Sequence, residues 1–315
     1  MKAIIGAVVQ AGTPLFDKKH TFEKLGDMLS DAAGLGAKLV VMPEAFVGGY
    51  PKGLDFGVRL GSRTPEGRED YLRYAENAIM VPGPDTDLIG ELVQKAGVYL
   101  VVGVVERDGG TLYCTSLYFA PCGSLLGKHR KLMPTALERV VWGFGDGSTL
   151  AAPETDIGTL GGGICWENYM PQYRLAMYGK GVEFYCAPTV DDRDVWLPTM
   201  QTIALEGRCF VLSACQYLER GYGPADYHPV QGSADDTVLI RGGSCIISPL
   251  GEILAAPIFG KETILTAELD KADILRGKYD LDVVGHYARP DVFSLQVNEC
   301  PQSSVKPVPS QTEKA

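Results

Sequence analysis

The chain has 315 residues, 45% hydrophobic and 22% charged, which are the proportions of a soluble globular protein able to bury a sizeable core. Its formal net charge of −10 argues against sequence-independent binding to nucleic acid or an anionic lipid surface, which needs a basic face. No apolar run approaches the roughly 20 residues of a membrane span.

Taken from the N-terminus, "AIIGAVVQ" (3–10) reads as a buried strand. A signal peptide is the weaker reading, because the apolar run is short and no small-residue cleavage site follows it, so a cytoplasmic location is expected. "TFEKLGDMLSDAAGLG" places Phe22, Leu25, Met28, Leu29 and Ala32 at helical spacing and ends at glycine. "AKLVVMPE" (37–44) is a second strand, "PDTDLIGELVQKAG" a helix and "VYLVVGVVER" a third strand. "TLYCTSLYFA" and "SLLGKHRKL" are antiparallel neighbours joined at "PCGS". The second half repeats the rhythm: strand "LGGGICW", helix "MPQYRLAMYGKG", strand "VEFYCAP", helix "VWLPTMQTIALEGR", strand "CFVLSAC". The pair "GGSCIISP" and "EILAAPI" brackets the turn "SPLGE", and "ETILTAEL" follows. This alternation predicts an α/β fold with mixed sheets covered by helices. It fits one domain over residues 1–298, followed by a polar, proline-containing tail (299–315) expected to be poorly ordered.

Eight cysteines without a CxxC pair, most of them in apolar strands, behave as small hydrophobes. His20, His129, His228 and His286 have no ligand-type spacing to them, so neither a metal nor another cofactor is expected. Cys165, in "GGGICWENYMP", is different. Glycines directly before it permit a tight turn and a close backbone approach, and a helical segment after it would lower the thiol pKa. It reads either as a nucleophile or as a core cysteine at a strand end. Glu44 lies just beyond a buried strand, where α/β sites form, and reads as a general base of raised pKa or as a cap. Alternation puts Lys131 on the same face as His129 and opposite Arg130. Lys131 is a proton-managing candidate or a solvated lysine, and Glu138, seven residues on, would by itself be an unremarkable loop acid. His129 and His286 remain open as bases. Glu167 suits a supporting role, accepting backbone hydrogen bonds at the turn. Trp142 reads as core. Tyr50 and Trp196, in loops after strands, and Trp166, beside the cysteine, are candidate pocket walls, and Asp192 with Arg193 is a candidate ion pair there.

Three long segments, "VVMPEAFVGGYPKG", "GKHRKLMPTALERVVWGFGDG" and "GGGICWENYMP", resemble in order the hallmarks of the nitrilase branch of the carbon–nitrogen hydrolase superfamily. The likeness continues through "CAPTVDDRDVW" and "DVVGHYARPDVFSL", and in detail resembles plant-type nitrilases and their bacterial relatives. It implies a four-layer α-β-β-α sandwich whose protomers pair into a larger sandwich, with homo-oligomers that extend into spirals. It implies Glu44 as general base, Lys131 as catalytic lysine, Cys165 as nucleophile and Glu138 as an assisting acid. The implied reaction is hydrolysis of a small-molecule nitrile to an acid and ammonia through thioimidate and thioester intermediates. Cyanide- or cyanoalanine-type activity and amidase activity are rivals within the superfamily. A catalytically silent assembly scaffold is the rival from another class. Tyr169 stands where many plant-type relatives carry arginine, which separates the chain from their specificity.

Overall fold

The structure, a computed structural model, describes residues 3–305. One sheet holds β1 (Ile4–Gln10), β2 (Ala37–Val41), β3 (Tyr99–Asp108), β4 (Thr111–Phe119) and β5 (Leu125–Arg130). The other holds β6 (Leu160–Gly161), β7 (Phe184–Thr189), β8 (Phe210–Cys215), β9 (Cys245–Ile247) and β10 (Ile253–Ala255). A last strand, β11 (Thr263–Leu269), returns to the first sheet, giving the orders β11-β1-β2-β3-β4-β5 and β10-β9-β8-β7-β6. In the first sheet the central run β1-β2-β3 is parallel, in the second the run β6-β7-β8 at one side is parallel, and the remaining pairs are antiparallel.

Side-chain alternation along these strands builds the layers. Val8, Leu39, Val41 and Val101 face Phe184, Phe210, Leu212 and Ile246 of the opposite sheet. The intervening residues Val9, Val40, Leu100 and Val102 face outward onto α1 (Lys18–Gly34), through Leu25 and Leu29. Behind the second sheet, Tyr185, Val211 and Ile247 pack on Met177, Met200 and Ile203 of helices Pro171–Gly179 and Trp196–Gly207. Helices therefore cover the outer faces of two stacked sheets, which is the expected α-β-β-α order. Each fully buried Val, Leu or Phe in these layers contributes roughly 1.5–3 kcal/mol relative to exposure.

Several elements differ from expectation, among them a short helix over Ala272–Lys278. The helix Pro65–Asn77 has no counterpart in the sequence reading, because "PEGREDYLRYAEN" is polar on most faces and Tyr74 is its one large, fully buried side chain; a Thr64 cap accepting from the Gly67 amide and Pro65 at its first position start it. "LGGGICW" is a strand only over Leu160–Gly161, after which the chain leaves the sheet and makes a 3₁₀ turn over Cys165–Tyr169. The Gly- and Asp-rich stretch after Gln216 is partly ordered by pairing of Tyr217–Glu219 with Val238–Arg241. Of the expected tail, residues 299–305 run along the surface, with Glu299 paired to Lys180 at 2.7 Å and the Gln302 amide donating to Asp146; residues 306–315 lie outside the described residues. Among the described residues no helix is long and apolar enough to cross a membrane.

Candidate active site

The carboxyl ends of β2, β5, β6 and β7 converge at one edge of the sandwich, and a separate buried cluster containing Ala45, Cys114, Trp142, Ile164, Cys165 and Val190 fills it. Glu44 arrives there because the chain beyond β2 stays bonded to β3: the Met42 amide donates to Val101 and the Val47 amide to Gly103. A Cβ at Gly103 would lie 2.3 Å from the Pro43 carbonyl and 2.7 Å from the Glu44 Cα, so this strand glycine is what lets the Glu44 segment lie on the sheet. Gln216 Nε2 donates to the Glu44 carbonyl at 2.7 Å and ties the segment to the far sheet.

Lys131 lies one residue past β5, its amide donating to the carbonyl of Cys114 on β4. Its ammonium is fully buried between two carboxylates, 2.6 Å from Glu44 Oε1 and 2.7 Å from Glu138 Oε2. Glu138 opens a helical turn (Glu138–Val141), not a plain loop, and also accepts from the Thr135 amide and from the Tyr50 hydroxyl at 2.8 Å. The Cys114 thiol donates to Glu44 Oε1 at 3.5 Å, while Glu44 Oε2 is buried and has no hydrogen-bond partner among the described residues. Burial raises the Glu44 carboxyl, with Glu138 adding to the rise and Lys131 opposing it, and the balance places it at about 6. Lys131 itself is held well above the ordinary lysine range: burial works against its charge, and Glu44 and the other acidic groups outweigh it.

Glycines prepare the turn that carries Cys165, as the sequence predicts. Gly162 has φ +136°, and a Cβ there would lie 2.0 Å from the Cys186 carbonyl of β7. Asn168 Nδ2 donates to the Gly163 and Cys165 carbonyls, and the Tyr173 hydroxyl to Gly162. Glu167 takes the supporting role expected of it: its carboxylate accepts from the Ile164 amide at 2.8 Å and from the Leu132 amide at 2.6 Å, and His129 Nε2 lies 3.0 Å away. One buried carboxylate thus joins the Cys165 turn to the segment bearing Lys131. Cys165 (φ +51°), Ala45 (φ +49°) and Ala136 (φ +47°) are three of the six non-glycine residues held in the left-handed region among the described residues, so part of the backbone strain lies where the site is assembled.

The Cys165 thiol is buried and lies within electrostatic range of Glu44, Lys131 and Glu138. Its pKa is raised, not lowered as the turn alone would suggest: burial dominates, Glu44 adds to the rise, and the short 3₁₀ turn does not offset them. Such a thiol rests protonated and would need a base in order to act as a nucleophile. A cavity of about 200 Å³ opens onto it, lined among others by Tyr50, Glu138, Trp166 and Arg193. Tyr50 and the partly exposed Trp166 therefore border the cavity. Trp196 does not: it is the first residue of a helix, buried, with its indole N–H donating to Ser213. Arg193 pairs with both carboxylate oxygens of Asp191, and Oδ2 also accepts from the Trp166 indole, whereas Asp192 meets Arg241. His129 is taken up by Glu167, and His286 is absent from the cavity lining. Among the described residues no group of three or more His, Cys, Asp or Glu side chains is placed to hold a metal. Thr189 and Cys114 also reach the site without having been singled out, since each sits in a strand that reads as apolar.

The family described as carbon-nitrogen hydrolase matches residues 7–279. The chain is 57% identical over 299 residues to an aliphatic nitrilase of Sinorhizobium fredii (strain HH103), covering 95% of this chain and 97% of that one. It is 54% identical over 303 residues to a bifunctional nitrilase/nitrile hydratase of Lupinus angustifolius, covering 95% and 87%. A solved carbon-nitrogen hydrolase of Helicobacter pylori G27 has the same fold, with a TM-score of 0.70 at 23% identity over 92% of this chain and 97% of that one.

Proposed function

The chain belongs to the carbon–nitrogen hydrolase family, and from that premise we propose that it is a nitrilase, hydrolysing an organic nitrile to the carboxylic acid and ammonia. The observation that carries this reading is the fully buried contact between Lys131 and Glu44, with one Glu44 oxygen left unpartnered and the Cys165 thiol beside the pair. A nitrile carbon is a modest electrophile with no leaving group, so attack and proton delivery to nitrogen must be coupled.

In this reading the Cys165 sulfur adds to the nitrile carbon while its proton passes to Glu44 and on to the nitrogen, giving a thioimidate. Glu44 then takes a proton from water as the oxygen adds, and returns it to nitrogen. The resulting tetrahedral species carries a hydroxyl, an amine and the sulfur on one carbon. Breaking the C–N bond releases ammonia and leaves a thioester, which a second water hydrolyses to the acid. Breaking the C–S bond instead releases an amide. Lys131, clamped by Glu44 and Glu138, faces the charge that develops on nitrogen and oxygen, and Tyr50 holds Glu138 in place.

Two further parts of the reading concern where and how the protein works. Free thiols at all eight cysteines support a reducing compartment such as the cytoplasm. Assembly into a homo-oligomer is supported by exposed apolar side chains, Leu175 and Leu205 on adjacent helices and Val292 and Phe293 near the C-terminus. A panel of aliphatic and arylaliphatic nitriles, with acid, amide and ammonia quantified and each amide run in parallel, tests the activity. Nitrile turnover absent in Cys165→Ala is the expected result; turnover of the amides alone would replace nitrilase with amidase.

A further inference from the structure

Thr189 ends β7, the strand whose backbone at Cys186 demands a glycine at position 162, so one element both shapes the cysteine turn and presents this side chain. The side chain is fully buried. Its Oγ1 lies 3.3 Å from the Cys165 sulfur and 2.9 Å from the amide nitrogen of Asp191. An amide N–H can only donate, so it occupies a lone pair of Oγ1 and leaves the hydroxyl proton to a different acceptor. The sulfur is the acceptor within reach.

From this geometry we propose that Thr189 is a further catalytic residue, whose hydroxyl donates to the Cys165 sulfur and stabilises it whenever it carries negative charge. The inference rests on Cys165 being the nucleophile. Toward a neutral thiol the bond is weak, and toward a thiolate it becomes charge-assisted and about twice as strong as a neutral one. The stabilisation is therefore greatest as sulfur attacks and again as it departs from the acyl carbon, where it lowers a barrier instead of merely tightening the resting state. Glu44 and Lys131 manage the protons of the substrate, and Thr189 serves the sulfur. The hydroxyl balances the site: Glu44 takes the thiol proton, while Thr189 keeps its own.

The test uses Thr189→Val, which keeps the branched shape and removes the hydroxyl, and Thr189→Ser, which restores it. Iodoacetamide alkylation of the Cys165 peptide is followed by mass spectrometry across pH in the full-length protein, so that the exposed Cys122 and Cys300 do not enter the readout. Thr189→Val is expected to lower the rate of Cys165 alkylation about tenfold at each pH of the profile, and to lower kcat/KM about tenfold on whichever nitrile the parent hydrolyses. Thr189→Ser should return both close to the parent. A loosened Asp191 turn would raise KM without moving the alkylation profile. An unchanged profile in Thr189→Val overturns this inference alone, whereas a parent Cys165 that is never alkylated overturns the nucleophile assignment and this inference together.

Discussion

Glu44 and Glu106 are both buried carboxylates that face cations from the run Lys128–Lys131, yet their oxygens are used differently. Glu106 Oε1 accepts from Lys128 at 2.5 Å and Arg130 at 2.6 Å, and its Oε2 from Arg130 at 3.0 Å and Thr115 at 2.9 Å. Burial pushes its carboxyl up, but the bonds from Arg130 and Lys128 prevail and hold it below the ordinary range. Glu44 shares Oε1 between Lys131 and Cys114, leaves Oε2 without a partner, and is raised to about 6. A carboxylate with both oxygens satisfied is a strut. One left half-satisfied in a dry site keeps a lone pair for a proton, and under the proposed function that is the difference between support and chemistry.

The comparison breaks most visibly by mutation. Glu44→Gln should reduce ammonia release by roughly 10²–10⁴-fold, the range of general acid–base contributions, with circular dichroism unchanged. Glu106→Gln should instead keep near-parental kcat in the folded fraction while destabilising the protein by about 3 kcal/mol in urea melts, because it removes the anion from a buried pair. Equal activity losses in the two variants would erase the distinction.

The two acids should also tilt stability in opposite directions with pH. Glu106, lowered on folding, contributes stability that is full above its ordinary value of 4.5 and is lost as pH falls through its depressed pKa. Glu44, raised on folding, binds more protons in the native state, so its contribution is present below 4.5 and is lost as pH rises toward about 6. Thermal melts of the parent against Glu106→Gln should therefore diverge with rising pH across the carboxylate range. Against Glu44→Gln, the parent should lose ground between about pH 4.5 and 6. In kcat/KM the same group predicts an acid limb near pH 6.

Cys114→Ala is the mildest change. Losing the thiol bond that helps hold Glu44 ionised should move the acid limb upward and cost activity about threefold, the size of one weak hydrogen bond. Cys114→Ser should restore the limb, and an unmoved limb in Cys114→Ala would remove Cys114 from the site's electrostatics.

Much of this architecture is legible in the chain because buried layers impose a period of two on strands and a period near 3.6 on helices. That is why β1, β2 and β3 and the helices over them could be read from apolar spacing, whereas the polar helix Pro65–Asn77, with Tyr74 as its one large buried anchor, could not. Glu167 was readable as a turn support because its partner at Ile164 is local, but its bond to Leu132 was not. Trp196 looked like a pocket wall from its position after a strand, and the helix that starts there turns it into the core.

By itself, the sequence determined the order of most strands and helices, the lack of an apolar run long enough for a membrane-spanning helix, and the glycine-shaped turn at Cys165. These follow from local sterics and from hydrophobic periodicity, which short windows encode. Only the tertiary structure decided which members of "GKHRK" serve folding and which serve the site, sending Lys128 and Arg130 to Glu106, His129 to Glu167 and Lys131 to Glu44 and Glu138. The physical reason is that burial, hydrogen-bond satisfaction and pKa are set by neighbours from distant segments, and no spacing rule along the chain records them.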